Sequence, residues 1–143
     1  MIRPFESKDQ EELIDVWFRA SLVAHPFLAK DFLEIERIQI AEHWLPLAET
    51  TVFEAEGRVV GFVALVGNEV GGLFVDPEHQ RQGIGHALMD SARKSRPYLE
   101  LNVFEANPIG RSFYAAYGFE EVARQISEAT GLPELRLRLE KKT

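Results

Sequence analysis

The sequence predicts one α+β domain around a single mixed sheet, and three observations carry that prediction. Its 143 residues suffice for one sizeable core and would leave two domains thin. Apolar periodicity gives two helices, three strands, then helix, strand, helix and two strands, after a short opening strand. No repeat, linker or low-complexity stretch interrupts it, so residues 1–143 read as one domain. About six or seven strands and about four helices are expected.

Each element has its own signal. Met1–Pro4 is a short strand ended by proline. Leu13, Val16, Trp17 and Ala20 recur at helical spacing, so residues 10–22 form an amphipathic helix, broken by Ala24-His25-Pro26-Phe27. A second helix spans residues 30–44, with Phe32, Ile35 and Ile38 on one side and Pro46 as its stop. Thr51–Ala55 and Val59–Val66 flank Glu56-Gly57-Arg58 as a hairpin, and Gly67-Asn68 turns into a third antiparallel strand at Val70–Val75. Residues 83–95 form a helix with Ile84, Leu88, Ala92 and Ser95 on one face, and Tyr98–Val103 a strand. Pro108–Tyr117 is a helix with proline in its first turn and Gly118 as its cap. Residues 119–127 and 134–140 close the chain as strands, with Gly131-Leu132-Pro133 between them.

Composition narrows the function. With 45% hydrophobic and 27% charged residues the chain is globular. A net charge of −7 argues against nucleic acid, which requires clustered Lys and Arg, and suits a cationic or amine-bearing partner. There is no cysteine, hence no disulfide, thiolate nucleophile or cysteine metal site. The four histidines show no metal-ligand spacing, and no metal is expected. The longest apolar run is too short to cross a bilayer and the opening residues lack a signal-peptide pattern, so a soluble cytoplasmic protein is the expectation.

The most informative stretch is Gln80-Arg81-Gln82-Gly83-Ile84-Gly85-His86, a glycine-bearing loop between a hydrophobic strand and a helix. Amides at a helix start lack internal partners and carry the positive end of the dipole, and glycine lets a ligand approach the main chain. Together they make a phosphate cradle, to which Arg81 adds charge. A dinucleotide fingerprint would need a small residue where Leu88 stands, and a P-loop would need Gly-Lys-Ser/Thr; neither is present.

Gln80 to Gly85 resembles the coenzyme A-binding motif Gln/Arg-x-x-Gly-x-Gly/Ala of the GCN5-related N-acetyltransferase (GNAT) family. Asp76-Pro77-Glu78 before it and Gly85–Met89 after it, His86 included, also follow the family pattern. The resemblance implies the GNAT fold and acetyl-coenzyme A as cosubstrate. The amides of Gln80, Arg81, Gln82, Gly83, Ile84 and Gly85 would hold the pyrophosphate, while Leu73, Phe74 and Val75 would run along the pantetheine arm. A second stretch, Asn107 to Phe119, is similar to the family's Asn-x-x-Ala-x-x-Phe/Leu-Tyr followed by Gly-Phe, with Gly110 in place of alanine. It implies that Asn107 bonds the coenzyme and that Tyr114 sits beside the thioester sulfur.

The chemistry explains the tyrosine. Transfer from a thioester to an amine passes through a tetrahedral intermediate and expels a thiolate, and a phenol with a reference pKa of about 10 stays protonated at neutral pH to donate to it. The backbone around Phe74 and Val75 would supply the oxyanion donor. Tyr117 is the alternative phenol. For the base that accepts the amine's proton, the candidates are Glu100, His25, Glu69 and Glu54. Asn102, near the end of the fifth strand, is a candidate contact to pantetheine or substrate. Without cysteine, transfer is expected to be direct. The loop Ala24–Leu28 is similar to that of small bacterial acetyltransferases acting on protein lysines, so the implied acceptor is a primary amine, either a protein lysine or a small molecule. A non-catalytic acyl-coenzyme A-binding regulatory module is the alternative, which could dispense with Tyr114. The alternating last strand suits either a monomer or a homodimer.

Overall fold

The computed structural model describes residues 1–140. Seven strands form one sheet: β1 (Ile2–Pro4), β2 (Glu49–Ala55), β3 (Arg58–Val66), β4 (Glu69–Val75), β5 (Tyr98–Phe104), β6 (Glu120–Ile126) and β7 (Pro133–Glu140). Their spatial order is β1-β2-β3-β4-β5-β7-β6. Every neighbouring pair is antiparallel except β4 and β5, which run parallel and share the single register position Glu69↔Glu100. The helices are α1 (Gln10–Ala24), α2 (Lys30–Gln39), the single turn α3 (Leu45–Leu47), α4 (Ile84–Arg93) and α5 (Pro108–Tyr117). None is long and apolar enough to cross a membrane. The α+β expectation and the order of elements are met.

Two apolar clusters lie on the two faces of the sheet. On one, Leu13, Val16 and Trp17 of α1 and Leu33 of α2 pack on Val52, Val59 and Phe62. On the other, Ile84, Leu88 and Met89 of α4 pack on Val60, Val63, Leu101 and Leu137. β3 contributes to both, which is why it reads as a near-continuous apolar run. The β2–β3 hairpin turns on Glu56 (φ 54°) and Gly57 (φ 78°), two left-handed residues that match the twist of the flanking strands. At the far edge β6 is exposed throughout, and a register shift between Glu121 and Ala123 interrupts its pairing with β7.

Two expectations for the second helix need correction. Pro46 does not stop it. A π turn at Ile40–Trp44 carries α2 into α3, and the chain leaves helical geometry only after Leu47. A proline removes one amide and its ring crowds the carbonyl four residues back, here that of Glu42; a wider turn relieves that contact without ending the helix. Nor does the helix bury Phe32, Ile35 and Ile38 together. Leu33 enters the core, while Ile35 and Ile38 are 60% and 54% exposed. At the end of α4, Ser95 lies beyond the last helical residue, Arg93, and is exposed.

A buried carboxylate ties α1 to the loop after β4. Asp76 is fully buried; its Oδ1 accepts from the Arg19 guanidinium at 2.9 Å and from the Glu78 amide at 2.9 Å, and its Oδ2 from Arg19 at 2.5 Å. Arg58 approaches at 3.3 Å. Burial by itself would raise the carboxyl's pKa, but the arginine and amide hydrogen bonds outweigh it and hold the value below the ordinary range. Replacing Asp76 with alanine should cost about 2 to 3 kcal/mol in urea unfolding at neutral pH, because it strands a partly buried guanidinium. The unfolded state binds the proton first, so the wild-type advantage should be complete above about pH 4 and fade as the pH falls through the lowered value.

Candidate active site

β4 and β5 part beyond Glu69 and Glu100, and a cavity of about 1020 Å³ opens between them and runs on to α1, α2 and the loop before β7. Pairing with β3 decides what the parted edge of β4 offers. The Asp76 amide donates to the Val60 carbonyl at 2.8 Å, so Asp76 and, by alternation, Phe74 spend their amides on β3. Those of Leu73 and Val75 point the other way, into the cleft. The Val75 carbonyl, on that same side, accepts from the Gln80 amide group at 3.2 Å. The expectation that Phe74 offers a backbone donor therefore gives way to Leu73 and Val75.

The phosphate cradle has the required backbone. Arg81 (φ 66°) and Gly83 (φ 83°) are both left-handed, and Gly83 is the residue before the first turn of α4. A Cβ built on Gly83 would meet nothing within 4 Å, so its glycine serves conformation and open space. Gly85 differs: a Cβ there would lie 3.2 Å from the Phe113 ring, so it lets α5 pack close to α4. Gln80, Arg81, Gly83, Ile84, Gly85 and His86 all line the cavity, and exposed Gln82 lies outside its wall. An open, amide-lined helix start with Arg81 beside it fits a pyrophosphate.

At the head of α5, Asn107 caps the helix: its Oδ1 accepts from the Gly110 amide at 3.0 Å. That bond fixes the orientation of the side-chain amide, so Nδ2 faces the His25 Nε2 at 3.3 Å. Because Nδ2 can only donate, Nε2 must be the acceptor and the ring proton sits on Nδ1. His25 packs edge-on against Phe104 and Phe27, with centroids 5.1 and 5.7 Å away, and burial pulls its pKa down to about 4. It is neutral at pH 7. The sequence left Gly110 without a reason; here a Cβ would lie 2.6 Å from Asn107 Nδ2 and 3.2 Å from Val103.

Tyr114, one turn further along α5, lines the cavity between Phe113 and Phe119, with centroids 5.4 Å from each. Burial raises its pKa well above the ordinary phenol value. Tyr117 lies outside the wall; its hydroxyl donates to Asp90 at 2.5 Å, and burial with that carboxylate pushes its pKa up to about 12. Glu100 is likewise outside. It accepts from Arg136 and Arg138, at 2.9 Å each, and those bonds lower its pKa. Glu69 and Asn102 do line the cavity, but Arg136 grips Glu69 with two bonds of 2.5 and 2.7 Å and reaches Asn102 at 3.1 Å. Glu54 is remote, paired with Arg3. The structure thus gathers His25, Asn107, Tyr114, Asn102, Leu73–Val75 and the turn around one space, and leaves Glu100, Gln82, Glu54 and Tyr117 out. Glu36, Trp44, Ser127 and Thr130 join that space unannounced by any motif. Among the described residues no group of three or more His, Cys, Asp or Glu could hold a metal ion.

Two measurements check this geometry. Gly110→Ala, a change that stabilises an ordinary helix by about 1 kcal/mol, should here destabilise by about 1 kcal/mol in urea unfolding, because the methyl displaces the Asn107 cap. Since the unfolded chain protonates His25 at about pH 6.5 and the folded chain only near pH 4, stability should fall on acidification between those values. The fall should be smaller in His25→Phe, read as the urea midpoint against pH.

Residues 46–121, a little over half of the chain, match the family model described as Acetyltransferase (GNAT) domain. The peptidyl-lysine N-acetyltransferase YiaC of Escherichia coli is 30% identical over 93% of this chain and 92% of its own. The peptidyl-lysine N-acetyltransferase YjaB of the same organism is 32% identical over 92% of this chain and 90% of its own. The solution structure of apo YjaB superposes with a TM-score of 0.85 at 29% identity, covering 96% of this chain and 95% of that one. The chain therefore belongs to the GNAT family and is an acetyl-coenzyme A-dependent N-acetyltransferase.

Proposed function

We propose that the chain transfers the acetyl group directly to a primary amine, a protein lysine in the first instance, with Tyr114 as general acid. The observation that carries this reading is that one cavity joins the open helix start at Gly83 to Tyr114 and on to α2 and the loop before β7. Two relatives matched along nearly their whole lengths are named peptidyl-lysine acetyltransferases, which favours lysine.

The roles follow from position. The Gly83–Gly85 amides and Arg81 would hold the pyrophosphate. The cleft-facing amides of Leu73 and Val75 would bond the pantetheine arm and the thioester oxygen, positioned before charge develops there. Asn107 holds the head of α5 in register and keeps one amide hydrogen for the coenzyme. Bound acetyl-coenzyme A supplies an activated acyl group and a sulfur leaving group. As the amine nitrogen bonds the acyl carbon and the carbon–sulfur bond breaks, Tyr114 gives its proton to the sulfur. A phenol whose pKa is raised by burial is certain to carry that proton at pH 7.

Glu100 and His25 are better placed to position than to accept a proton. Two arginines saturate the Glu100 carboxylate, and Asn107 occupies the His25 lone pair. With Glu69 also gripped by Arg136, the amine's surplus proton passes to solvent at the acceptor end, and the Tyr114 phenolate takes a proton back from solvent before the next turnover.

Thiol release from acetyl-coenzyme A with a lysine peptide should proceed in the wild type. Tyr114→Phe should lower kcat by roughly ten- to a thousandfold, the range of a lost general acid, while calorimetry finds acetyl-coenzyme A binding unchanged. Unaltered turnover would remove Tyr114 from the chemistry.

A further inference from the structure

The arginine and the carboxylates that line the cavity stand on different elements, Arg81 in the turn before α4, Glu36 on α2 and Glu69 on β4. Glu69 is held by the two bonds from Arg136. Glu36 has no cationic partner among the described residues. Its neighbour Arg37 lies over the Phe18 ring at 4.6 Å and approaches only Glu34, at 3.9 Å.

The setting of Glu36 is apolar. Phe32 and Glu36 of α2 and Ile40 and Trp44 of the π turn recur every fourth residue and form one wall of the cavity. Three of these four residues are apolar, and the half-buried carboxylate among them is desolvated enough for its pKa to rise. An unpaired carboxylate in an apolar wall costs stability that a leucine or glutamine would not. The loop before β7 adds Ser127, Ala129 and Thr130 to the lining, none of them charged.

Building on the amine acetyltransferase reading, we infer that Glu36 is a specificity-determining residue that pairs with a second, non-reacting cation of the acceptor. The reacting nitrogen itself must be neutral to attack, and a carboxylate beside it would hold it as ammonium. A fixed positive charge next to the reacting amine has no such conflict, and in a partly desolvated pocket its pairing with Glu36 discriminates strongly against acceptors that lack it. The acceptor class is therefore dibasic: a lysine flanked by arginine or lysine, or a polyamine.

The test measures kcat/KM at saturating acetyl-coenzyme A for three acceptors: a peptide with Arg beside the lysine, the same peptide with Gln in that place, and spermidine. Wild type should prefer the Arg peptide over the Gln peptide by about tenfold, the scale of one charge-assisted contact. Glu36→Gln should bring that ratio close to one through KM, and should melt at the wild-type temperature or above, because an unpaired carboxylate has been removed. Activity on spermidine alone, lost with Glu36→Gln, would support the same pairing and assign a small-molecule acceptor. A preference that survives Glu36→Gln in the folded variant overturns the inference. Wild type that acetylates none of the three fails earlier, on the acetyltransferase reading on which the inference rests.

Discussion

Two parallel strands that meet at one position and then separate make the rest of the molecule possible. Every other strand pair in the sheet is antiparallel and continues for three or more register positions; β4 and β5 share only Glu69↔Glu100. Parting exposes amides and carbonyls inside a folded domain, normally a costly arrangement. It persists because both sides of the gap are anchored elsewhere: β4 to β3, with its carbonyl at Val75 covered by Gln80, and β5 to β7 along its whole length. At the point of contact Arg136, reaching from β7 across β5, holds Glu69 and Glu100 together like a rivet at the base of a fork.

The two ion-pair centres play different parts. Asp76 is fully buried and joins α1 to the turn that leads into α4, so the helix start that lines the cavity is braced against the opposite face of the sheet. The Arg136 and Arg138 network is more exposed and holds Glu69 and Glu100 in place near the cleft. In the proposed reaction the chemistry would therefore fall to a protonated phenol and backbone amides, with the uncharged His25 holding Asn107 in place beside them.

Local features were legible in the sequence because they depend on near neighbours. The Gly83 turn, the Pro108 start of α5 and the hairpin at Gly57 all declare themselves within a few residues. What stayed hidden depends on distant ones. Glu100 looks like a free carboxylate until Arg136 and Arg138 arrive from 36 and 38 residues away. Gly110 looks like a helix defect until Asn107 is set against it, and the packing of Gly85 on Phe113 is equally invisible from its neighbours in sequence. The face of α2 differs for another reason: Phe32 lines a cavity and Ile35 and Ile38 are exposed, and periodicity does not distinguish a core face from an apolar face that is not in the core.

The π turn before Pro46 reaches further than its own backbone. In a regular helix each fourth residue drifts by about 40° around the axis, so a side chain three steps from Phe32 would have wandered off the face that Phe32 and Glu36 occupy. The wider turn at Ile40–Trp44 resets that phase and leaves Trp44 on the same wall. Pro46, which does not itself line the cavity, thereby helps select which aromatic ring does. A chain without this wide turn would carry a different side chain on that wall while leaving the Gly83 turn and Tyr114 in place.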